Sequence, residues 1–282
     1  MTYKMLVSDL DETLLNNDGT IHEANVKAIR EAVAHGFKFV PNTGRSYTSV
    51  QDLLTTLGLR DQAGQFVISY NGGAIVENKD NQVLLARAMD LTLAQKVFDA
   101  GLVNDQVDVH IYTVDTLFIY NISPSDERYM HERGVSYEIV ETTDLAFLQT
   151  QAPLMKVIFE HPDTDVQHAI HDAVLAAVGD TAVEATYSSG RYVEFNPKGV
   201  DKGNAALLLG EKLGIARDEI MAIGDNSNDI KMLEAVGLGV SVANGIPAVK
   251  AVADLVLERT NNEGAVAELL NTYVLHEGAD QA

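Results

Sequence analysis

Short apolar runs alternate with amphipathic helical patterns at both ends of this chain, and that alternation limits the fold more than any other feature. In the N-terminal third, the apolar runs at 4–8, 37–43 and 66–70 are typical of buried strands. The stretches between them, 22–35 and 46–57, carry apolar side chains at helical spacing. Strands separated by helices of this length pair in parallel through right-handed crossovers. The pattern therefore predicts a doubly wound α/β domain.

The middle of the chain, from about 84 to 190, has a different rhythm. Strand patterns at 107–121, 135–141 and 154–160 follow one another with fewer helices between them, although 165–178 is helical. Strands that are close in sequence favour an antiparallel sheet with helices on one face. This region therefore has the pattern of a separate α+β domain.

The first rhythm returns in the last third of the chain. Helix and strand patterns alternate there at 204–213, 219–223, 228–236, 238–242 and 254–257. The simplest organisation is a Rossmann-like parallel-sheet core made of residues 1–84 and 191–282, interrupted by an α+β insert at 85–190. A chain of 282 residues is long enough for two such domains.

The charge balance limits the partners that this chain can have. Its 41 acidic and 20 basic residues give a formal net charge of −21 at pH 7. Such a charge repels nucleic acids and anionic membrane surfaces, so neither is expected as a partner. Anionic substrates remain possible where a divalent cation or local basic groups reverse the field inside a site.

The sequence also limits the chemistry and the compartment. It contains no cysteine, which excludes disulfides, a thiolate zinc site and a cysteine nucleophile. The longest apolar runs are about six residues, too short for a membrane span, and the N-terminus lacks the apolar stretch of a secretory signal. We therefore expect a cytoplasmic protein.

Two carboxylates, Asp9 and Asp11, follow the first predicted strand. The carboxyl ends of parallel strands are where open α/β sheets bind ligands. Close carboxylates repel each other unless a cation joins them, so the pair indicates either Mg²⁺ or an acid of raised pKa. Alternatively, Asp11 only caps the following turn and Asp9 is an exposed strand end.

A second acidic segment, Gly224–Asp229, follows the predicted strand at 219–223. Asp225 and Asp229 supply hard oxygen ligands of the kind that Mg²⁺ prefers. Helix capping is the alternative, but it accounts for one polar residue of this segment and not for all five.

Two further motifs fall at the ends of other elements. Thr43 and Gly44 follow the second strand, where a hydroxyl, a backbone amide and a helix N-terminus can bind an anion. Lys202 precedes the helical pattern at 204–213 and could direct its ammonium to the same place. Taken singly, Thr43 also suits a helix cap, and a lone lysine is usually a solvated surface charge.

Together these four motifs resemble the haloacid-dehalogenase superfamily of phosphohydrolases in both order and spacing. More narrowly, the chain resembles the Cof-type branch, whose members are sugar-phosphate phosphatases with an α+β cap inserted after the third strand. The resemblance extends over the whole chain and includes Tyr70–Ala74, Asn196–Gly203, Met221–Met232 and Asn244–Pro247. Two positions depart from the family: many members have glycine at Glu12, and Asn42, where a small residue or threonine is common, is a position that can tune the phosphate pocket.

The resemblance implies a Mg²⁺-dependent phosphatase in which Asp9 is the nucleophile and forms an aspartyl-phosphate. Asp11 would protonate the leaving group and then activate water. The metal would be held by Asp9, Asp225 and the backbone carbonyl of Asp11. The other implied positions are Leu10, Thr43, Gly44, Lys202 and Asn228 around the phosphate, Arg45 and Asn71 near the substrate, and Asp229 as a support for Lys202 or for a metal-bound water.

Other functions share these residues. A phosphomutase would use the same catalytic groups and return the phosphoryl group to its substrate. A phosphosugar sensor or phospho-acceptor would bind or accept phosphate at Asp9 without turnover, although it has no need of a general acid such as Asp11. The expected partner is a small phosphorylated metabolite, and the sequence leaves open whether the protein is a monomer or a homodimer.

Overall fold

The computed structural model describes residues 3–275, which form two units with separate β-sheets. One unit contains the residues up to Leu85 and from Asp201 onwards, and the other is Ala86–Val200. The sequence prediction ended the insert at 190. The second unit extends further because a strand at 192–197 belongs to its sheet.

The strands and the α-helices are numbered separately, each in chain order. Within residues 3–275 the strands are β1 (Met5–Ser8), β2 (Lys38–Pro41), β3 (Phe66–Ser69), β4 (Ala74–Glu77), β5 (Gln82–Ala86), β6 (Asp108–Thr113), β7 (Leu117–Tyr120), β8 (Glu138–Val140), β9 (Leu154–Glu160), β10 (Val183–Ser188), β11 (Tyr192–Pro197), β12 (Ile220–Gly224), β13 (Leu238–Ser241) and β14 (Leu255–Val256). The α-helices are α1 (Glu23–Ala34), α2 (Gln51–Leu57), α3 (Leu91–Gly101), α4 (Pro124–Glu132), α5 (Thr164–Val178), α6 (Lys202–Leu213), α7 (Ile230–Ala235), α8 (Pro247–Val252) and α9 (Ala265–Leu270).

Five strands of the first unit pair in parallel, in the order β14-β13-β12-β1-β2. Met5 of β1 lies opposite Ile220 on one side and Lys38 on the other. All four residues of β1 are buried, as expected for a strand covered on both faces. The predicted α/β fold with a parallel-sheet core is confirmed.

An antiparallel extension follows β2, which the sequence pattern did not predict. β3 joins the parallel sheet through a bridge between Asn42 and Ile68 and then pairs antiparallel with β4. The reversal takes place in the short turn Tyr70–Gly72, where Asn71 has a left-handed backbone (φ 54°). The predicted third strand is therefore correct in position but begins an antiparallel sheet of β3, β4 and β5.

Helices α6 and α7 cover the sheet of the first unit on one face. Met5 and Val7 of β1 pack in one core cluster with Leu209 of α6 and Met232 of α7. This burial stabilises the sheet by roughly 1.5–3 kcal/mol for each fully buried side chain. It also fixes the starts of α6 and α7 relative to the carboxyl ends of β1 and β12.

The second unit has six strands in the order β10-β11-β9-β6-β7-β8, all antiparallel except for the pair β7–β8. Helices α3 and α5 pack on one face, as the strand-rich pattern predicted. The continuous strand predicted at 107–121 is wrong, because a turn at 114–116 divides it into the hairpin β6–β7. Helix α4 was not predicted, and its Met130 packs on the other face against Ile119 and Ile158.

None of the helices in the described part of the chain has the length and hydrophobicity of a membrane span.

Candidate active site

The end of β1 delivers Asp9 to a buried position and leaves Asp11 at the surface. The backbone amide of Asp9 continues the sheet by donating to the carbonyl of Ile223 at 3.0 Å, and only 8% of Asp9 is exposed. The chain then turns, because the carbonyl of Leu10 accepts from the amide of Leu14 at 3.0 Å. The Leu10 side chain is fully buried in the core, so any contact of Leu10 with a substrate would use its backbone.

The sequence prediction placed Lys202 before the helix, but Lys202 lies in the first turn of α6. Asp201 caps this helix by accepting from the amide of Asn204 at 2.8 Å, which moves the helix start two residues towards the N-terminus. The Lys202 ammonium donates to Oδ1 of Asp9 at 2.5 Å and to Oδ1 of Asp229 at 2.7 Å. Burial lowers the pKa of Lys202, but the two carboxylates outweigh burial and raise it, so the side chain stays charged.

Both carboxylate oxygens of Asp229 accept hydrogen bonds from within the protein. Its Oδ2 accepts from the backbone amides of Asp225 at 3.0 Å and Asn226 at 3.1 Å, while its Oδ1 binds Lys202. Among the described residues, the side chain of Asp225, at the end of β12, accepts one hydrogen bond, from the hydroxyl of Thr13 at 2.7 Å. Asp225 is therefore freer than Asp229 to bind a ligand.

Three carboxylates converge here and fit a divalent cation. Oxygen atoms of Asp9, Asp225 and Asp229 lie within 4.8 Å of one another. Burial raises the pKa of Asp9 well above its usual range despite Lys202, and burial also raises the pKa of Asp225 to about 6. Hard carboxylate oxygens at a site with more carboxylates than ammonium groups are suitable ligands for Mg²⁺. Because Asp229 is occupied, Asp9 and Asp225 are the side chains of this group that would hold the ion.

The loop after β2 brings Thr43 and Gly44, two of the residues expected around a phosphate, next to Asn71, which was expected near the substrate. Thr43 is buried, and its hydroxyl accepts from the backbone amide of Arg45 at 3.1 Å. The amide of Asn71 donates to the carbonyl of Thr43 at 2.9 Å, and the backbone of Gly44 lies against the Asn71 side chain. Asn228, in the turn Ser227–Asp229, is exposed.

Asp11 and Arg45 form an ion pair at the surface of this site. Nε of Arg45 donates to Oδ2 of Asp11 at 3.2 Å, and its Nη2 donates to Oδ1. The two side chains are 59% and 47% exposed. The carboxylate of Asp11 therefore faces Arg45 and not the converging carboxylates.

Sequence reasoning assigned no role to Thr13, whose hydroxyl contacts Asp225. Its one sequence signal is its place at the end of the segment Asp9–Thr13. Sequence reasoning also missed a buried cluster in the second unit, where Nε2 of His110 lies 2.7 Å from Oδ2 of Asp126 and 3.4 Å from Oδ1 of Asp108. Tyr192 also donates a hydrogen bond to Asp126, at 2.5 Å. Hydrogen bonds and the attraction between opposite charges therefore hold these buried side chains together.

The family model described as haloacid dehalogenase-like hydrolase matches residues 6–270 of this chain. The chain therefore belongs to this family and is a hydrolase. The resemblance inferred from the motifs at Asp9, Thr43, Lys202 and Asp225 is confirmed.

The chain is also similar to individual proteins along nearly its whole length. It is 28% identical over 272 residues to 5-amino-6-(5-phospho-D-ribitylamino)uracil phosphatase of Bacillus subtilis, with 96% of each protein covered. It is 32% identical over 278 residues to Endoribonuclease YBEY, chloroplastic, of Arabidopsis thaliana, where the match covers 96% of this chain and 46% of that protein. The chain thus spans less than half of the Arabidopsis protein. A solved haloacid dehalogenase-like hydrolase from Bacteroides thetaiotaomicron matches with a TM-score of 0.84 at 25% identity, covering 96% of this chain and 99% of that one.

Proposed function

We propose that this protein hydrolyses phosphomonoesters of small metabolites, such as sugar phosphates, through an aspartyl-phosphate on Asp9. The observation that carries the proposal is the buried Asp9 carboxylate, held 2.5 Å from the Lys202 ammonium at the carboxyl end of a parallel sheet. A carboxylate nucleophile divides a difficult displacement into two easier steps.

In the first step, an oxygen of Asp9 attacks phosphorus and the bond to the leaving oxygen breaks. Lys202 offsets the repulsion between this carboxylate and the phosphate. Asp11 leaves its pair with Arg45, takes up a proton from solvent and gives this proton to the leaving oxygen. In the second step, Asp11 takes a proton from the water that attacks the aspartyl-phosphate, so Asp9 is again a free carboxylate and Asp11 is again protonated for the next turnover.

The proposed cofactor is Mg²⁺, held by Asp9, Asp225 and the backbone carbonyl of Asp11. When bound, it reduces the charge repulsion between the nucleophile and the phosphate. Thr13 keeps Asp225 in place through its hydroxyl. The phosphate oxygens are proposed to bind Lys202, Thr43, the amides of Leu10 and Gly44, and Asn228.

The choice of substrate is proposed to lie in the second unit, acting as a cap. The groups around the phosphate recognise only what every phosphomonoester shares, so discrimination requires contacts with the leaving group. The Bacillus subtilis relative is named for a phosphorylated ribityl compound, which favours a polyol or sugar phosphate as the substrate class.

The test is phosphate release from a panel of phosphorylated metabolites, measured with and without Mg²⁺. We expect many turnovers for each protein molecule with at least one sugar or polyol phosphate. A protein that takes up one phosphoryl group and stops would instead be a phospho-acceptor. Transfer back to a sugar phosphate, with no free phosphate, would instead indicate a mutase.

A further inference from the structure

The side chain of Asn42 is completely buried beside the proposed catalytic groups and has no part in the chemistry above. Its backbone is fixed on two sides, since its amide donates to the carbonyl of Ser8 at 2.8 Å and it bridges to Ile68 of β3. The sheet therefore holds the Asn42 side chain at a defined place beneath the start of α6.

The amide nitrogen of Asn42 connects this sheet to the first turn of α6. Nδ2 donates to the backbone carbonyl of Lys202 at 3.1 Å and lies 3.4 Å from Sδ of Met232 in α7. Lys202 is the first residue of α6. The bond thus fixes the stretch of backbone from which the Lys202 ammonium extends to Asp9 and Asp229.

The first turn of α6 is also packed closely on two other sides. A Cβ on Gly72 would lie 2.2 Å from the carbonyl oxygen of Asp201, and one on Gly203 would lie 2.4 Å from the carbonyl oxygen of Lys231. Only glycine allows backbones to approach this closely. The Asn42 amide adds a hydrogen bond from β2 to these two contacts.

The oxygen of the Asn42 side-chain amide is not stabilised by a hydrogen bond from the described residues. This atom, Oδ1, is buried. A buried polar atom without a partner is unfavourable, so packing alone would favour an apolar side chain of similar volume. The hydrogen bond from Nδ2 to the Lys202 carbonyl therefore explains why asparagine is found at this position, which packing alone does not explain.

We propose that Asn42 is a positioning residue, whose bond to the Lys202 carbonyl holds the Lys202 ammonium between Asp9 and Asp229. This rests on the proposed function, which gives Lys202 its role at the nucleophile and the phosphate. Asn42 itself touches no reacting atom in that scheme. Displacement of a catalytic group by about 1 Å can lower a rate about 100-fold, so a small shift of α6 is enough to matter.

The test compares Asn42→Leu with Asn78→Leu. Asn78 is a matched control in the same unit, because it is buried, its Nδ2 donates to the carbonyl of Leu59 at 3.0 Å, and its Oδ1 accepts no hydrogen bond within residues 3–275. We expect Asn42→Leu to lower kcat for an aryl phosphate about tenfold or more, with a smaller change in KM. Asn78→Leu is expected to keep the wild-type kcat.

If Asn42→Leu does not fold, Asn42→Ser takes its place, and a kcat between those of Asn42→Ala and wild type is expected because serine can still donate a hydrogen bond.

A second measurement shows whether Asn42 acts through Lys202. In the Lys202→Ala background, Asn42→Leu is expected to cause no further loss of kcat, since the effects of residues that act as a unit are not additive.

A third readout does not depend on activity. It is the rate at which acetic anhydride acetylates Lys202, followed by mass spectrometry. We expect this rate to rise about fivefold or more in Asn42→Leu and to stay at the wild-type value in Asn78→Leu, because a buried ion-paired amine reacts slowly until it is released.

An unchanged kcat, an unchanged acetylation rate or an additive loss in the Lys202→Ala background would each overturn the proposal. A failure of the proposed function would give a result that differs from a failure of the Asn42 proposal. In that case the wild-type protein would release no phosphate from any ester, while the acetylation rates would still decide whether Asn42 holds Lys202 in place.

Discussion

The ammonium nitrogen of Lys202 lies 2.5 Å from Oδ1 of Asp9 and 2.7 Å from Oδ1 of Asp229, and all three side chains are buried. One ammonium neutralises only one of these carboxylates, and Asp225 adds a third nearby. The remaining negative charge is what a bound divalent cation would neutralise. This arrangement makes Lys202 central to both the stability and the proposed chemistry of the site.

Lys202→Met should lower kcat/KM for every phosphomonoester by about 100-fold or more, because the charge that faces the nucleophile is lost. It should also lower the free energy of unfolding by about 3–5 kcal/mol, since it leaves buried carboxylates without their counter-charge. Kinetics with a sugar phosphate and an aryl phosphate, together with urea unfolding, measure both effects. The matched control is Lys198→Met, an exposed lysine nearby in sequence. Equal kinetics for the two variants would contradict the assignment of Lys202.

Thr13→Val should weaken the response to Mg²⁺. The valine keeps the volume of threonine but loses the 2.7 Å bond to Asp225 Oδ1, a bond that holds the pKa of Asp225 lower than burial alone would leave it. Loss of a partner that orients a metal ligand typically costs about 10–100-fold in metal affinity. The Mg²⁺ concentration that gives half-maximal phosphate release should rise by a factor in that range.

Thr20→Val is the control for this variant, because Thr20 is exposed and its hydroxyl makes its hydrogen bonds, to Asp18 and from Asn16, at the surface. If Thr13→Val and Thr20→Val show the same half-maximal Mg²⁺ concentration, Asp225 does not hold the metal in the way proposed.

Much of the site could be predicted from the sequence, because the ends of neighbouring parallel strands must lie at one edge of a sheet. That rule brings Asp9 of the first strand and Asp225 of the twelfth together although they are far apart in the chain. The pairing of Asp11 with Arg45 could not be predicted, since it depends on side-chain rotamers at the surface. The start of α6 was misplaced by two residues because Asp201, not a later residue, caps it.

The second unit was harder to predict for a different reason. Its apolar alternation continues from 107 to 121 without a glycine or proline, so Asp115 is only a weak sequence signal for the tight turn between β6 and β7. The contact of His110 with Asp126 joins a strand to a helix on the opposite face from α3 and α5, and short-range periodicity carries no information about it.

The stability of the second unit should fall between about pH 6.5 and pH 9. Burial lowers the pKa of His110, but the hydrogen bonds and charges of Asp108 and Asp126 outweigh burial and raise it to about 9, from 6.5 in an unstructured chain. A pKa raised on folding adds stability that is complete below pH 6.5 and is lost as the pH rises through 9. The loss amounts to roughly 3 kcal/mol.

Thermal unfolding across this pH range measures the loss. His110→Gln combined with Asp126→Asn should remove most of the slope while keeping a neutral hydrogen-bonding pair. His168→Gln, at an exposed histidine of the same unit, should keep the slope. A slope that survives in the double variant would show that His110 is not its source.

Ca²⁺ should bind at the proposed Mg²⁺ site and inhibit. Its larger size and higher coordination number allow both oxygens of Asp9 to bind the ion, which would withdraw the nucleophile from phosphorus. Phosphate release measured at fixed Mg²⁺ with increasing Ca²⁺ should fall and recover when Mg²⁺ is added in excess. Equal rates with the two ions, or full activity after verified removal of all divalent metal, would contradict the proposed role of the cation.

The central claim is that Asp9 carries the phosphoryl group, and rapid acid quenching during turnover tests it most directly. Peptide mass spectrometry of the quenched protein should find one phosphoryl group, located on Asp9. The adduct should be absent from Asp9→Asn and present in Asp18→Asn, a control at an exposed acid shortly after the same strand. Phosphate release by Asp9→Asn should be at least about 1,000-fold slower, because a covalent nucleophile has been removed. A phosphoryl group on a different residue, or release by Asp9→Asn within about tenfold of the wild-type rate, would contradict the account.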